Sequence, residues 1–368
     1  MQNDLRYRVA LTLVPGIGPV QARILLQHAE PEEIFRAKKQ FLEKIEGIGP
    51  ARAMAIRNFN NFSRAEEELR FISKHGIKAL FLTDPGYPKR LLNCFDPPTL
   101  LYYKGEADLN APRVIAVIGT RHHTDYGKQV TEQLIGDLAA KQVTVISGLA
   151  FGVDAIAHRS AIRNQIPTIG VLAHGLDQVY PAPHTGLARE MMQQGGGLLT
   201  EFPSRTQPDK HNFPSRNRVV AGICDAVVVI ETNLKGGSMI TADLANGYNR
   251  DVFAIPGRIR DPQNTGCNFL IRTNRAQLLT HAGELAESMG WDEKKSGNAN
   301  HRIQRELFID LSKEEKKIVD LLQEKESVSI DEINILCGLP VSVAATAILN
   351  LELQNVIVSL PGKIYRLS

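Results

Sequence analysis

Apolar positions in the first sixty residues recur with helical spacing, and the same punctuation interrupts them twice, at Val14-Pro15-Gly16-Ile17-Gly18-Pro19 and Glu46-Gly47-Ile48-Gly49-Pro50. Each G-I-G-P lies between two short helical patterns, the form of a helix-hairpin-helix. The glycines permit a tight turn and leave two uses open. Backbone N–H groups at a helix start can face a phosphate, or the two helices can simply pack closely. Basic residues are sparse beside the first hairpin, whereas Arg52 and Arg57 follow the second. Residues 63–112 form a connecting segment, with a helix expected over 63–75, an apolar run over 79–82 and a turn at Asp84-Pro85-Gly86-Tyr87-Pro88. Its Pro97-Pro98-Thr99-Leu100-Leu101 stretch reads as an extended lead-in to a sheet.

From Val114 onward the period changes. Short β-rich runs at 114–118, 143–146, 168–172, 226–230 and 252–255 alternate with helical ones, which predicts βαβ units around a mostly parallel, Rossmann-like sheet. Nearly continuous apolar runs suit strands covered on both faces, and right-handed crossovers gather the strand-end loops on one edge, where ligands bind. The polar stretch 292–300 has no apolar period and reads as linker. Helices expected at 313–323, 329–337 and 340–354, then strands at 356–359 and 363–367 around Pro361-Gly362, make a winged helix. The organisation expected is a helix-hairpin-helix (SAM-like) domain at 1–62, an extended Rossmann-like core at 63–290, a linker at 291–310 and a winged helix at 311–368.

A length of 368 residues agrees with two or three domains, and 43% hydrophobic with 23% charged residues is ordinary for a globular protein. No apolar run approaches the roughly 18 residues of a membrane span, and no secretory pattern opens the chain, so a cytoplasmic location is expected. Cys94, Cys224, Cys267 and Cys337 show no C-x-x-C spacing, which argues against zinc, redox or disulfide roles and for small buried side chains. With 43 Lys and Arg against 40 Asp and Glu, the net charge is only +3. Any nucleic-acid site must therefore be local.

Several strand-end loops have the chemistry for one. Gly119-Thr120-Arg121 offers close backbone approach, a hydroxyl and a guanidinium before a helix expected near Tyr126-Gly127. Ser147-Gly148-Leu149-Ala150-Phe151-Gly152-Val153-Asp154 repeats the small-residue turn. Asp154 and His158 share a helical face, but without further ligands they read as a cap and a local hydrogen bond, so no metal or cofactor is expected. The cluster Lys210-His211-Asn212-Phe213-Pro214-Ser215-Arg216-Asn217-Arg218 is expected as a turn-like loop in which cations follow phosphates while a ring and amides engage splayed bases. Lys235-Gly236-Gly237-Ser238-Met239-Ile240-Thr241-Ala242 and Arg258 supply two more strand ends. Together they suggest a track for an anionic polymer.

The succession of Val117-Ile118-Gly119-Thr120-Arg121, Ser147-Gly148-Leu149-Ala150-x-Gly152-Val153-Asp154-x-x-Ala157-His158, Gly175-x-Asp177-x-x-Tyr180-Pro181, Phe213-Pro214-x-Arg216-Asn217-Arg218 and Gly237-Ser238-x-Ile240-Thr241-Ala242 resembles the DNA-processing protein A (DprA/Smf) family. The hairpins and the terminal winged helix are similar to that family's three-part arrangement. The resemblance implies a homodimer that binds and protects incoming single-stranded DNA and helps load the RecA recombinase in natural transformation, during competence, and in homologous recombination. It implies a DNA pocket of Gly119, Thr120, Arg121, Ser147, Gly148, Lys210, Phe213, Arg216, Asn217 and Arg218, with Gly236, Gly237 and Ser238 adjacent. Two departures stand out. Ala182 follows Tyr180-Pro181 where several members are basic, so no phosphate contact carries over to that loop, and Lys235 replaces a small residue before the glycines.

The strongest rival is a nucleoside-monophosphate hydrolase of the lysine-decarboxylase-like class on the same fold. Its P-G-G-x-G-T-x-x-E loop is not matched here, where Lys235 to Asp243 lacks the Gly-Thr and the glutamate, and no nucleophile and base are juxtaposed. Glu201 and Glu231, near strand ends, are expected to bond loop amides. A duplex-reading transcription factor is the third reading, but the expected recognition helix at 340–354 contains no Lys or Arg. A non-enzymatic single-strand binder is the reading these residues favour.

Overall fold

The structure is a computed structural model that describes residues 2–291, 311–354 and 356–367. Residues 292–310, nearly all of the expected linker, lie outside the described residues. The chain divides into two compact units, Met1–Leu278 and Leu279–Ser368.

The first unit opens with six helices, α1 (Gln2–Leu13), α2 (Pro19–Leu26), α3 (Pro31–Arg36), α4 (Lys39–Lys44), α5 (Gly49–Arg57) and α6 (Phe62–His75). Leu11, Leu25, Ile34, Leu42 and Ile56 form the core shared by α1 to α5, and Ala65 and Ile72 of α6 pack against Val9 and Ala10 of α1. Both G-I-G-P segments turn into helices, with Gly16 at φ +78° and Gly47 at φ +83°, a backbone region that favours glycine. Arg52 reaches across the two turns, donating from Nε to the Gly16 carbonyl and from Nη1 to the Gly47 carbonyl, each at 3.1 Å. Arg57 donates to the carbonyls of Phe35 and Ala37. The basic residues after the second hairpin thus serve close packing.

Next come β1 (Lys78–Phe81), α7 (Lys89–Leu92) and β2 (Leu100–Gly105), then alternating β3 (Val114–Ile118), α8 (Asp125–Leu138), β4 (Thr144–Ser147), α9 (Val153–Arg163), β5 (Thr168–Val171), α10 (Thr185–Gln193), β6 (Gly197–Thr200), α11 (Asn212–Gly222), β7 (Ala226–Val229), α12 (Gly237–Gly247), β8 (Asp251–Ala254), α13 (Thr265–Arg272) and β9 (Gln277–Leu278). Among the described residues the sheet order is β1-β2-β6-β5-β4-β3-β7-β8-β9. Neighbours from β6 to β9 are parallel, while β2 pairs antiparallel with β6 and with β1. Every residue of β3, β4, β5 and β7 is buried, as strands covered by helices on both faces require.

The apolar pattern does not single out β6. Its four residues, Gly-Leu-Leu-Thr, follow two further glycines and are too short to show a period. It becomes a strand by pairing, Ile169 with Gly197 on one side and Tyr102 with Thr200 on the other.

The second unit holds α14 (Ala282–Ser288), α15 (Lys313–Glu324), β10 (Val328–Ser329), α16 (Ile330–Cys337), α17 (Val341–Leu353), β11 (Ile357–Leu360) and β12 (Ile364–Leu367). Ser312 and Ser329 cap α15 and α16, each accepting from the backbone N–H three residues on. Ile318, Leu322, Ile333, Ile348 and Leu351 fill the core between helices and wing. This is the expected winged helix. No single described helix is long and apolar enough to cross a membrane.

His158 on α9 is fully buried. The Thr168 hydroxyl gives its hydrogen to the Val145 carbonyl, so His158 Nδ1–H donates to Thr168 Oγ1 at 2.7 Å, leaving Nε2 bare and without a partner among the described residues. Burial, helped by His184 and Arg216, pushes the imidazole pKa down to about 3. Because the folded value lies below the unfolded one, the unfolded chain binds more protons as pH falls through 6.5, and the fold loses stability there. Relative to a His158→Asn variant, wild-type unfolding free energy is expected to fall by about 2 kcal/mol between pH 7 and pH 5. Paired denaturant titrations at the two pH values measure this, and a constant difference would refute it.

Candidate functional site

Strand β3 is where the order of the sheet reverses, since β4, β5 and β6 succeed one another on one side and β7, β8 and β9 on the other. The connections leaving β3 and β7 therefore diverge and leave a crevice beyond their carboxyl ends. A cavity of about 290 Å³ lies there. Its walls are Ile118, Gly119, Thr120 and Arg121 after β3, and Gly148, Ala150 and Asp154 around the β4–α9 turn. The turn into α12 adds Thr232, Asn233, Gly236, Gly237, Ser238 and Thr241, and α11 adds Phe213, Arg216, Asn217 and Val220.

The segment expected as a turn-like loop is mostly helix, because α11 begins at Asn212. Helical spacing then sorts its side chains. Phe213, Arg216, Asn217 and Val220 stand at i, i+3, i+4 and i+7 and share the face that lines the cavity. Arg218 lies about 200° around the helix from Arg216 and cannot join them. Its guanidinium is instead bonded to the Glu201 carboxylate and the Asp96 carbonyl, with the Asp96 carboxylate 3.8 Å away. Lys210 precedes the helix, is exposed, and is not part of the cavity wall. Both lie outside the pocket expected to include them.

Ser147 also lies outside it. As the last residue of β4 it is fully buried and donates to the Val117 carbonyl at 2.7 Å, stitching β4 to β3. The turn that follows has less donor capacity than expected, because Asp154 Oδ2 accepts from Gly148 N at 3.1 Å and Ala150 N at 3.3 Å. Gly148 supplies shape: a side chain there would collide with the Arg216 guanidinium. Thr120 N is likewise taken, by the Glu231 carbonyl at 2.7 Å. The Glu231 carboxylate, fully buried, accepts from the backbone N–H and hydroxyl of Thr124, which caps α8. That bond to a loop amide is the expected one, whereas Glu201 bonds a guanidinium instead.

The donors left for a ligand are few. Arg121 is exposed and makes no ion pair among the described residues, and its guanidinium carbon is 5.5 Å from the Phe213 ring centroid. Arg216 lies 5.8 Å from the same centroid and is only 6% exposed. Its Nε donates to Asn217 Oδ1 at 3.0 Å and its Nη1 to the carbonyls of Gly148 and Val171, while Nη2 has no partner among the described residues. Burial lowers the Arg216 pKa and the nearby Asp154 carboxylate opposes that. Burial raises Asp154 and Arg216 opposes it in turn. At the opposite wall Ser238 Oγ donates to Thr232 Oγ1 at 2.7 Å, so the hydroxyl holds the turn. The N–H groups of Gly237 and Ser238, in the first turn of α12, lack intrahelical acceptors. Two cations, a ring, an amide and a helix start thus face one space, an arrangement suited to a phosphate with an aromatic base. Thr232 and Asn233 escaped sequence reasoning, although their position directly after the β7 run could have marked them.

Sequence models identify this chain with known families along most of its length. The model described as DNA recombination-mediator protein A matches residues 78–290, that of the DprA winged helix domain 309–363, and that of a SAM-like helix-hairpin-helix tandem 9–59. Protein Smf of Synechocystis sp. is 32% identical over 99% of this chain and 99% of its own. The crystal structure of DNA processing protein A from Streptococcus pneumoniae superposes with a TM-score of 0.66 at 32% identity, covering 77% of this chain and 97% of that one. DNA processing protein A from Helicobacter pylori, whose structure concerns a single-stranded DNA binding mode, gives a TM-score of 0.52 at 33% identity, covering 58% and 95%.

Arg218, on the far face of α11, and Arg121, in the loop after β3, separate by stability. Arg218→Ala removes the partner of Glu201, a carboxylate that burial already pushes up to about 7, and is expected to cost about 3 kcal/mol of unfolding free energy. Arg121→Ala should stay within about 0.5 kcal/mol of wild type. Chemical denaturation compares them, and equal losses would contradict the assignment of Arg218 to the scaffold.

Proposed function

Because the chain belongs to the DNA-processing protein A (DprA/Smf) family, we propose that its switch-point cavity binds single-stranded DNA. The observation that carries this reading is the pair Arg121 and Arg216 flanking the Phe213 ring at 5.5 and 5.8 Å, beside the open first turn of α12. Cations neutralise phosphates while the ring and Asn217 engage an unpaired base. A cavity of about 290 Å³ suits one nucleotide and not paired strands. On the family resemblance the role extends to protecting the strand and helping to load the RecA recombinase in natural transformation, with the protein acting as a cytoplasmic homodimer. A hydrolase reading has less support: Glu231 is spent on Thr124, and Asp243, within α12 at the position where the rival class carries its glutamate, pairs with Arg275 at 3.3 Å.

Binding is expected to favour single strands over blunt duplex, with little sequence preference, and to weaken between about 50 and 200 mM salt. Arg121→Ala should cost about 1 to 3 kcal/mol and lower the salt slope by nearly one unit. Phe213→Ala should cost a similar amount, about 1 to 3 kcal/mol, with the slope almost unchanged. Lys210→Ala, outside the cavity, should lose less than Arg121→Ala. Fluorescence anisotropy over a salt series reads all four, and equal affinity for duplex or a wild-type Arg121→Ala would overturn the reading.

The third helix of the winged helix, α17, carries no Lys or Arg, so that domain is read as a protein-contact or structural element. A folded chain ending at Trp291 should keep most of its single-strand affinity. Collapse of binding in that truncation would assign the winged helix to DNA instead.

A further inference from the structure

Behind Phe213 lies a second opening that the cavity just described does not use. It measures about 30 Å³, and its own walls are Phe151, Leu172, Ala173, His174, Tyr180 and Pro181, with Arg121, Gly148, Ala150, Phe213 and Arg216 shared between the two spaces. Apart from the shared arginines its lining is largely apolar, with Phe151, Leu172, Ala173 and Pro181. Two of its rings are unusually open, Phe151 at 46% and Tyr180 at 47%. They do not complete the core, and exposed apolar surface beside a binding cleft marks a contact site.

The Tyr180 backbone and the Phe151 ring are each held in place. Buried His174 accepts the Tyr180 backbone N–H at its Nε2, at 3.1 Å, while its Nδ1–H donates to the Gly175 carbonyl at 2.9 Å. Phe151 meets the His184 ring edge-on at 4.8 Å, and His184 Nδ1–H donates to the Leu149 carbonyl at 2.8 Å. Platforms fixed before binding lose little entropy when they stack. An opening of about 30 Å³ is too small to admit a base, so a base could only lie across it. Tyr180 and Phe213 are 6.4 Å apart and inclined at 46°, too close and too tilted to sandwich a base between them. The accessible stacking surface is the outer face of Tyr180 together with Phe151.

We propose that Phe151 and Tyr180 form a second, aromatic subsite on which the base adjoining the one in the main cavity stacks, so that a bound strand passes over Phe213. The proposal rests on the single-stranded DNA reading above. Stacking is sequence-tolerant and releases no counterions, so this subsite contributes affinity without salt dependence.

The test uses the full chain and two probes, a fluorescent thymidine oligonucleotide and an abasic oligonucleotide of the same length. On the base-bearing probe Tyr180→Ala and Phe151→Ala are each expected to weaken binding roughly tenfold with an unchanged salt slope, while Tyr180→Phe stays near wild type. On the abasic probe all four proteins should bind alike. If wild type binds the base-bearing probe and both alanine variants match it, the subsite is refuted while the main cavity stands. If wild type binds neither probe, the single-strand reading itself fails. Equal losses on both probes would mean the rings merely support the loop, and a changed sedimentation coefficient without DNA would make them a subunit contact. Either result overturns the proposal.

Discussion

Parallel strands cannot be joined by hairpins, so each connection from β3 to β9 must travel back across the sheet before the next strand starts. Because the chain adds β4 to β6 on one side of β3 and β7 to β9 on the other, two of those connections part at the centre of the sheet. The gap between them has no helix to fill it. What faces the cavity is the end of β3, the segments that follow β3, β4 and β7, and α11, the helix that leads back from β6 to β7.

The walls of such a gap need fixing from behind, and buried polar contacts do this. Glu231, just beyond β7, holds Thr124 at the start of α8 and so ties the two sides of the divide together. Asp154 gathers the β4–α9 turn against Arg216. On the far face of α11, Arg218 joins the helix to Glu201 after β6 and to Asp96 before β2. Further out, Arg64 bonds Glu68 and Ser204, coupling α6 of the helical region to the segment that follows β6. Breaking such a pair leaves a buried charge uncompensated, so these residues cannot be exchanged one at a time without loss.

This scaffolding leaves a division of labour among similar residues. Arg121 is exposed and uncommitted, Arg216 is buried with one nitrogen in reserve, and Arg218 is fully engaged. A phosphate chain would draw on the first two, and only the first would show its full charge in the salt dependence. Phe213 lines both the main cavity and the smaller opening beside Tyr180, so one ring belongs to both spaces.

Much of this was legible in the sequence. The change of hydrophobic period at Val114 announces alternating strands and helices, the two G-I-G-P turns announce the hairpins, and the terminal pattern announces the winged helix, because each reports a local periodicity. The glycine and hydroxyl turns at 119–121 and 236–238 could be placed at the site because strand ends of a parallel sheet share one edge. Local pattern could not reveal β6, whose four residues are a strand only through their partners on both sides. Nor could it distribute the cations of 210–218, since a loop would present them all while the helix turns Arg216 inward and Arg218 away. Which N–H groups remain free is likewise partly a tertiary matter: Glu231 reaches Thr124 only when β7 and α8, distant along the chain, are folded together. Residue type and spacing thus determined most of the elements and which strand ends line the cavity, whereas the direction of each side chain, and what it had already been paired with, awaited the packing of α11 against the divided sheet.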